Sequence, residues 1–455
     1  MVEKVKTFAL AAALLGLPIA IASAKDEVFD PPSINFFTNH DEIGVTEPLE
    51  GVISAGKGLF SAKFNVLDGA GRPFATGDSK PTPRLEAGPQ FQRISGPDAN
   101  SCLGCHNLPI AGGGGDISSN VFFGAHFADP VVTSIDGKFS NERHSPSLFG
   151  SGAVEVAATE ISEELRRLRL QALLEAKKEK RIFELPLSAK GISFGTILAH
   201  PDGYVDYRNL EGIDNDLVVK PFGVKGIAIS IREFSIAALN HHHGIQAIER
   251  YGWDRTGRED FDGDGVKEEF TPGQLSALVL FQASLPAPRS GPYKGDGAIL
   301  FNQIGCSSCH VPAIAVAGGN FVEPNKLNRP GTLTPNYTKN VINIPLSVNK
   351  DSAGRISFYS DFRRHNMCDS TQSMLCNEEL IQDNVPKSLF TTARLWDLAT
   401  SAPYCHRGNC PTVTDAIRAH GGEGSSSVRE FEKLSSNQKR ELIRFLLSLG
   451  AAENP

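Results

Sequence analysis

The sequence predicts a mainly α-helical chain of two related helical units, with a small β-hairpin inserted in the first. Three observations carry that expectation. A short apolar helix leading into Cys-x-x-Cys-His occurs twice, in NSCLGCHNLPIAGGGGD (100–116) and IGCSSCHVP (304–312). Amphipathic stretches of helical period lie between and after the two copies. One segment, 187–222, instead alternates apolar and polar residues around Pro201-Asp202-Gly203, the pattern of a hairpin.

The first residues, with Lys4 and Lys6 ahead of an apolar run and Ala22-Ser23-Ala24 before Lys25, read as a cleaved signal peptide over 1–24. Export to a periplasm is the expectation. The apolar run is short for a membrane span and contains Pro18, and no later segment is apolar enough to cross a bilayer. With a net charge of −7 and no basic block, nucleic acid is not an expected partner.

Residues 25–100 read as loops with short helices, one of them near residues 53–60, just ahead of the first motif. The equivalent GDGAILF (295–301) precedes the second. A long amphipathic helix is expected from Thr159 to Lys180, its charges forming a solvated face, and another helix from Ser230 to Tyr251. A third starts at Thr271-Pro272, a cap followed by a first-turn proline, and runs to Ser284. The Pro/Gly-rich SLPAPRSGPYKGDG (284–297) divides the chain into units 25–288 and 289–455, and a helix from about Ser436 to Leu449 closes it.

Three-residue spacing places two thiols on one side of a helical turn. There they can add across the two vinyl groups of one haem, and the histidine that follows becomes the proximal iron ligand. Cys102, Cys105 and His106 would hold haem 1; Cys306, Cys309 and His310 would hold haem 2. Zinc would need ligands from motifs about two hundred residues apart, and a thioredoxin-like site does not call for a histidine at both copies. The expected cofactors are therefore two covalently bound c-type haems. The sixth coordination positions then decide function: two strong ligands make an electron relay, whereas an open face binds peroxide or oxygen.

The other cysteines, Cys368, Cys376, Cys405 and Cys410, suit two disulfides in an exported protein, with all three pairings open. DFDGDGVKEE (260–269) sets Asp260, Asp262 and Asp264 around a glycine turn, as in a calcium loop. Its twelfth position is Thr271, so Glu268 or Glu269 would have to replace the usual bidentate glutamate; a solvated acidic turn is the alternative. In REFSIAALNHHHGIQAIERYG (232–252), His241, His242 and His243 fall near an apolar face with Phe234, Ala238 and Ile245, as a catalytic base or a structural cluster.

Several stretches together resemble the di-haem oxidoreductase family, relatives of the bacterial di-haem cytochrome c peroxidases. They are PSLFGSGAVE (146–155), AKGISFGTI (189–197), DLVVKPFGVKG (216–226), DFRRHNM (361–367), TARLWDLATSAPYCHRG (392–408) and AIRAHGGE (416–423). The resemblance implies two cytochrome c-like haem domains, and a family whose members include peroxidases and oxygenases. It implies a distal ligand for haem 2 at His420, with Met367 as the competing candidate and His365 in structural or propionate contacts. It implies a displaceable histidine near haem 1, for which His126 is the candidate, carried on a loop made mobile by Gly112–Gly115. The positions where the peroxidases keep an amide and an acid are Phe234 and Gly244 here, so a neighbouring histidine would act as base. Trp396 is a candidate for the electron path between the haems, and a core aromatic otherwise.

The implied activity is peroxidase-like, with electrons passing from haem 2 to an oxidant at haem 1 and supplied by a small periplasmic donor such as a cytochrome c. The rivals are an oxygenase or oxidase acting on an organic substrate, and a pure electron-transfer cytochrome.

Overall fold

The computed structural model describes residues 39–70, 98–115, 117–121, 140–369 and 374–450. The signal-peptide segment 1–24 and His126 lie outside them. The helices are α1 Leu49–Ser61, α2 Cys102–Cys105, α3 Ser151–Glu179, α4 Ile231–Ala238, α5 Ile248–Tyr251, α6 Trp253–Thr256, α7 Pro272–Ser284, α8 Gly297–Gln303, α9 Val413–Arg418, α10 Ser425–Lys433 and α11 Ser436–Leu447. The strands are β1 Ser118–Val121, β2 Asn141–His144, β3 Phe183–Ala189, β4 Ile192–Ala199, β5 Val205–Leu210, β6 Ile314–Ala315, β7 Asn320–Glu323, β8 Ile342–Pro345, β9 Arg355–Ile356, β10 Arg364–Asn366 and β11 Leu389–Thr391.

The expectation of a mainly α fold made of two cytochrome c-like domains is overturned. Five small antiparallel sheets run through the described residues: β1-β2, β3-β4-β5, β6-β9, β7-β8 and β10-β11. The fold is mixed α/β. Most of these strands have only two to four residues, too short to show a two-residue period against loop sequence. The segment expected as a hairpin does form one: β4 and β5 pair with Ala199 opposite Val205, and β3 adds a third strand.

A twofold repeat nevertheless survives among the helices. Ahead of the first motif, α1 crosses α7 so closely that a Cβ on Gly56 would lie 1.9 Å from the Ala277 carbonyl oxygen. Ahead of the second, α8 crosses α11, and a Cβ on Gly297 would lie 2.4 Å from Phe445 Cβ. Both receiving helices start with a reciprocal capping box, Thr271 with Gln274 and Ser435 with Gln438.

Helix α3 begins eight residues earlier than the periodicity suggests. It starts after Gly150, whose φ of 71° lies in the left-handed region that glycine tolerates. Its first half is buried against β3 and β4 and against Ile314, Ile356, Phe358 and Trp396. The other large core joins α1, α4 and α7 to Phe321, Ile342 and Ile344. Both cores therefore draw side chains from either side of residue 288. Among the described residues, no helix is long and apolar enough to cross a membrane.

Candidate functional site

At the first motif, α2 is a single turn that carries both thiols, and the His106 amide closes it on the Cys102 carbonyl at 2.9 Å. The His106 Nδ1 bonds the Pro146 carbonyl at 3.0 Å. A carbonyl only accepts, so the proton sits on Nδ1 and the Nε2 lone pair is left for a metal. The second motif repeats the device: His310 Nδ1 bonds the Tyr359 carbonyl at 3.0 Å. Each proximal ring also has a phenylalanine from its preceding helix beside it, Phe60 at 6.4 Å from His106 and Phe301 at 6.5 Å from His310. Burial pulls both imidazoles down to about 4, with His420 adding to the effect at His310. Both are neutral at physiological pH.

The four motif cysteines are in no disulfide. Burial pushes the Cys102 thiol up to about 12 and the Cys306 thiol to about 11. That environment disfavours the thiolate a zinc site would require, and it suits a thioether, which has no charge to desolvate. The donor set at each motif thus fits covalent haem.

His420 follows α9, as the sequence suggests. Its Nδ1 bonds the Ala416 carbonyl at 2.8 Å, which again leaves Nε2 with the lone pair. Its ring centroid lies 6.3 Å from that of His310. An imidazole nitrogen is about 1.1 Å from its ring centre and a metal–nitrogen bond is about 2.0 Å, so two imidazoles on opposite faces of one metal have centres roughly 6.2 Å apart. The spacing would let the two rings hold one metal between them.

The loop that follows His420 is clamped. Glu423 accepts from His365 Nδ1 at 2.7 Å and from the Asn366 amide, while Asp369 accepts from the Gly422 amide and the Ser425 hydroxyl. On its other side His365 Nε2 meets Asp361 at 2.9 Å. Burial alone would lower the His365 pKa, but the bonds to Asp361, Cys309 and Glu423 override it and raise it to about 11. His365 is therefore a buried cation that holds the loop in place. Met367 packs in a small cluster with Phe390 and Ala419. The tight approach at Gly422 is to the backbone of Asn366, where a Cβ would lie 2.1 Å from the carbonyl oxygen.

Around the first motif the structure corrects two expectations. The helix expected over Ser230–Tyr251 ends at Ala238, continues as a π-turn over Leu239–His243, and is closed by Gly244 at φ 73°. Side chains after Ala238 consequently leave the helical face assumed for them, and Gly244 holds its position because of its left-handed conformation. The glycine run is also close-packed where a mobile loop was expected. A Cβ on Gly113 would lie 1.8 Å from the Leu108 carbonyl oxygen, and one on Gly115 would lie 2.0 Å from that of Cys105.

The three histidines have distinct surroundings. His241 and His243 are buried, and His242 is partly exposed. His243 bonds the Ala99 carbonyl through Nδ1 at 2.7 Å and brings Nε2 to 3.5 Å from Cys102 Sγ. His242 Nδ1 meets the Asp98 carboxylate at 3.1 Å. Asp98 escaped the sequence reading. Its only local signal is its place four residues before Cys102, and its partner lies 144 residues further on.

The disulfides are Cys368–Cys376 and Cys405–Cys410, the local pairing. Asp260, Asp262 and Asp264 do converge, with ligand atoms within 4.8 Å of one another. Their oxygens cap backbone amides of the same turn at Gly263, Gly265, Asp264 and Val266. Burial and then Asp264 push the Asp262 pKa up to about 7. Glu269 lies beside the cluster, close enough for Asp262 to add to the burial that raises its pKa, and accepts from both the amide and the side chain of Gln246.

No family model matches the chain, and neither does any curated relative. Among solved structures, the hydrazine synthase of Kuenenia stuttgartiensis, pressurized with 20 bar xenon, is similar at 13% identity and a TM-score of 0.36, over 99% of this chain and 100% of that one. A likeness at that level carries no argument about fold or chemistry.

Proposed function

We propose that this chain is an exported di-haem c-type oxidoreductase that reduces hydrogen peroxide with electrons from a small donor cytochrome, and that it belongs with the di-haem oxidoreductases its sequence resembles. The observation that carries the reading is the asymmetry between the two motifs. His420 stands opposite His310 at the spacing of two ligands on one metal. At the first motif, among the described residues, a turn of three histidines with Asp98 lies at Cys102 instead.

Two covalent haems would supply redox-active iron at the two motifs. Cys102 and Cys105 would tether one, with His106 as its ligand; Cys306 and Cys309 would tether the other, with His310 and His420 as its ligands. Reducing peroxide to two waters takes two electrons and two protons. His242, oriented by Asp98 and partly open to solvent, would take up and release those protons as a general acid–base group. His243 would stand beside the Cys102 tether. The Asp98–His242 pair would fill the role left open by Gly244. Export to a periplasm rests on the character of residues 1–24 alone.

The test is spectroscopic first. Mature protein made with haem-attachment machinery should exceed the bare chain by the mass of two haems. It should also show a high-spin electron paramagnetic resonance signal in the oxidised or half-reduced form, and turn over peroxide with reduced cytochrome. Two low-spin haems in both forms would make it an electron carrier. Oxygen uptake with an organic substrate, without peroxide turnover, would make it an oxygenase.

A further inference from the structure

We infer that Arg394 is a positioning residue shared by both haem sites, a single fixed positive charge that sets the two reduction potentials together. The inference rests on the di-haem reading above and deepens it.

The segment 392–408 lies against both motifs. From Arg394, Nη2 donates to the Ser147 carbonyl at 3.2 Å, one residue beyond Pro146, whose carbonyl fixes His106. The preceding residue, Ala393, brings its backbone within hydrogen-bonding range of the His310 ring. Two residues on, Trp396 lies under the guanidinium, whose central carbon is 5.9 Å from the ring centre. Its indole nitrogen donates to the Ser357 carbonyl at 2.5 Å, two residues before Tyr359, whose carbonyl fixes His310. The guanidinium therefore stands one residue from the carbonyl that orients one proximal histidine, and the backbone next to it in sequence touches the other.

Its electrostatic position is unusual for this chain. Arg143, Arg232 and Arg364 each meet a carboxylate. Among the described residues Arg394 has no ion pair, and only a carbonyl and an indole face it. Burial lowers its pKa to about 10, so it stays charged at neutral pH. A guanidinium withdrawn from water without an acid fits a site where the carboxylates come from the cofactor, since haem carries two propionates and arginine takes carboxylates bidentately. A positive charge held in a medium of low polarity, poorly screened by salt, favours the reduced state of each neighbouring iron. Both potentials are raised by the same group.

Arg394→Gln and Arg394→Lys, each purified with two haems confirmed by mass, are compared with the wild type by spectroelectrochemical titration. In R394Q both midpoint potentials fall, with the oxidised-to-reduced ratio of each haem at a fixed applied potential rising about tenfold, which is ~59 mV for one electron. In R394K both stay near the wild-type values. A shift confined to one haem, no shift, or an equal shift in R394K overturns the inference. Should R394Q fail to load both haems, Arg394→Met is titrated in its place: both potentials falling supports the shared charge, and any other result removes it. A wild-type protein without two haems would sink the di-haem reading itself, a distinguishable failure.

Discussion

His420 and His242 are the residues on which the proposed chemistry divides. His420 is oriented by one backbone bond, to Ala416, and its loop is held by Glu423 and Asp369. Replacing it with alanine removes a ligand without disturbing that clamp. In H420A the second haem should therefore become high-spin and bind added imidazole or cyanide, while haem content stays at two; an unchanged low-spin spectrum would assign the ligand elsewhere. For His242 the expected effect is on rate. General acid–base groups contribute on the order of 10²–10⁴-fold, so H242A should lose about that much peroxide turnover with both haem spectra intact. D98N should lose less, because the base remains and only its orienting partner changes. Equal activity in H242A would return the histidine turn to a structural role. His420 comes into view through the resemblance of AIRAHGGE (416–423) to the di-haem oxidoreductases. The Asp98–His242 pair joins segments 144 residues apart, and no local pattern announces it.

At the scale of elements, the legible features were those with strong local chemistry. The capped start of α7 at Thr271-Pro272 matches expectation to the residue, as does its end at Ser284, and α11 lies within its expected range. The helix through the histidines did not match, because Gly244 and the π-turn are set by tertiary packing that propensity does not encode. The role of Gly56 was also hidden, since a glycine inside a helix looks like a flaw until its partner is known. With Ala277 and Phe281 pressed against it, any side chain must push α1 off α7. Gly56→Val should therefore destabilise the fold by roughly 1–3 kcal/mol, the usual range for overpacking, read as a lower denaturation midpoint with an unchanged slope. Gly51 lies in the same helix with nothing within 4 Å of its added Cβ, so Gly51→Ala is the control and should be neutral or slightly stabilising. A cost at Gly51 equal to that at Gly56 would show that helix propensity, not the crossing, is responsible.

For the whole molecule, the sequence suggests a division at 288/289, where a Pro/Gly-rich stretch follows α7. The packing runs across that line in three places. Phe321, Ile342 and Ile344 fill the core of α1, α4 and α7. Ile314, Val316, Ile356, Phe358, Phe362 and Trp396 complete the core beneath α3. The fully buried Arg232 takes Glu323 from beyond the line as one of its two acids. Cutting at the linker would strip apolar cover from both cores, each large side chain costing about 1.5–3 kcal/mol of burial. It would also leave Arg232 without one of its acids, and a buried charge that loses a partner costs several kcal/mol. These losses exceed the 5–15 kcal/mol that a domain has to spare. A fragment of residues 39–288 should accordingly lack sharp near-ultraviolet ellipticity and bind a hydrophobic dye, and the full chain should unfold in one transition by both circular dichroism and tryptophan fluorescence. The two tryptophans, Trp253 and Trp396, fall on opposite sides of the line, so a chain with two independent units would show separate fluorescence and backbone transitions. A cooperative fragment with a native-like spectrum would restore the division suggested by the linker, and would mean that the side chains packed across residue 288 dock onto units already formed.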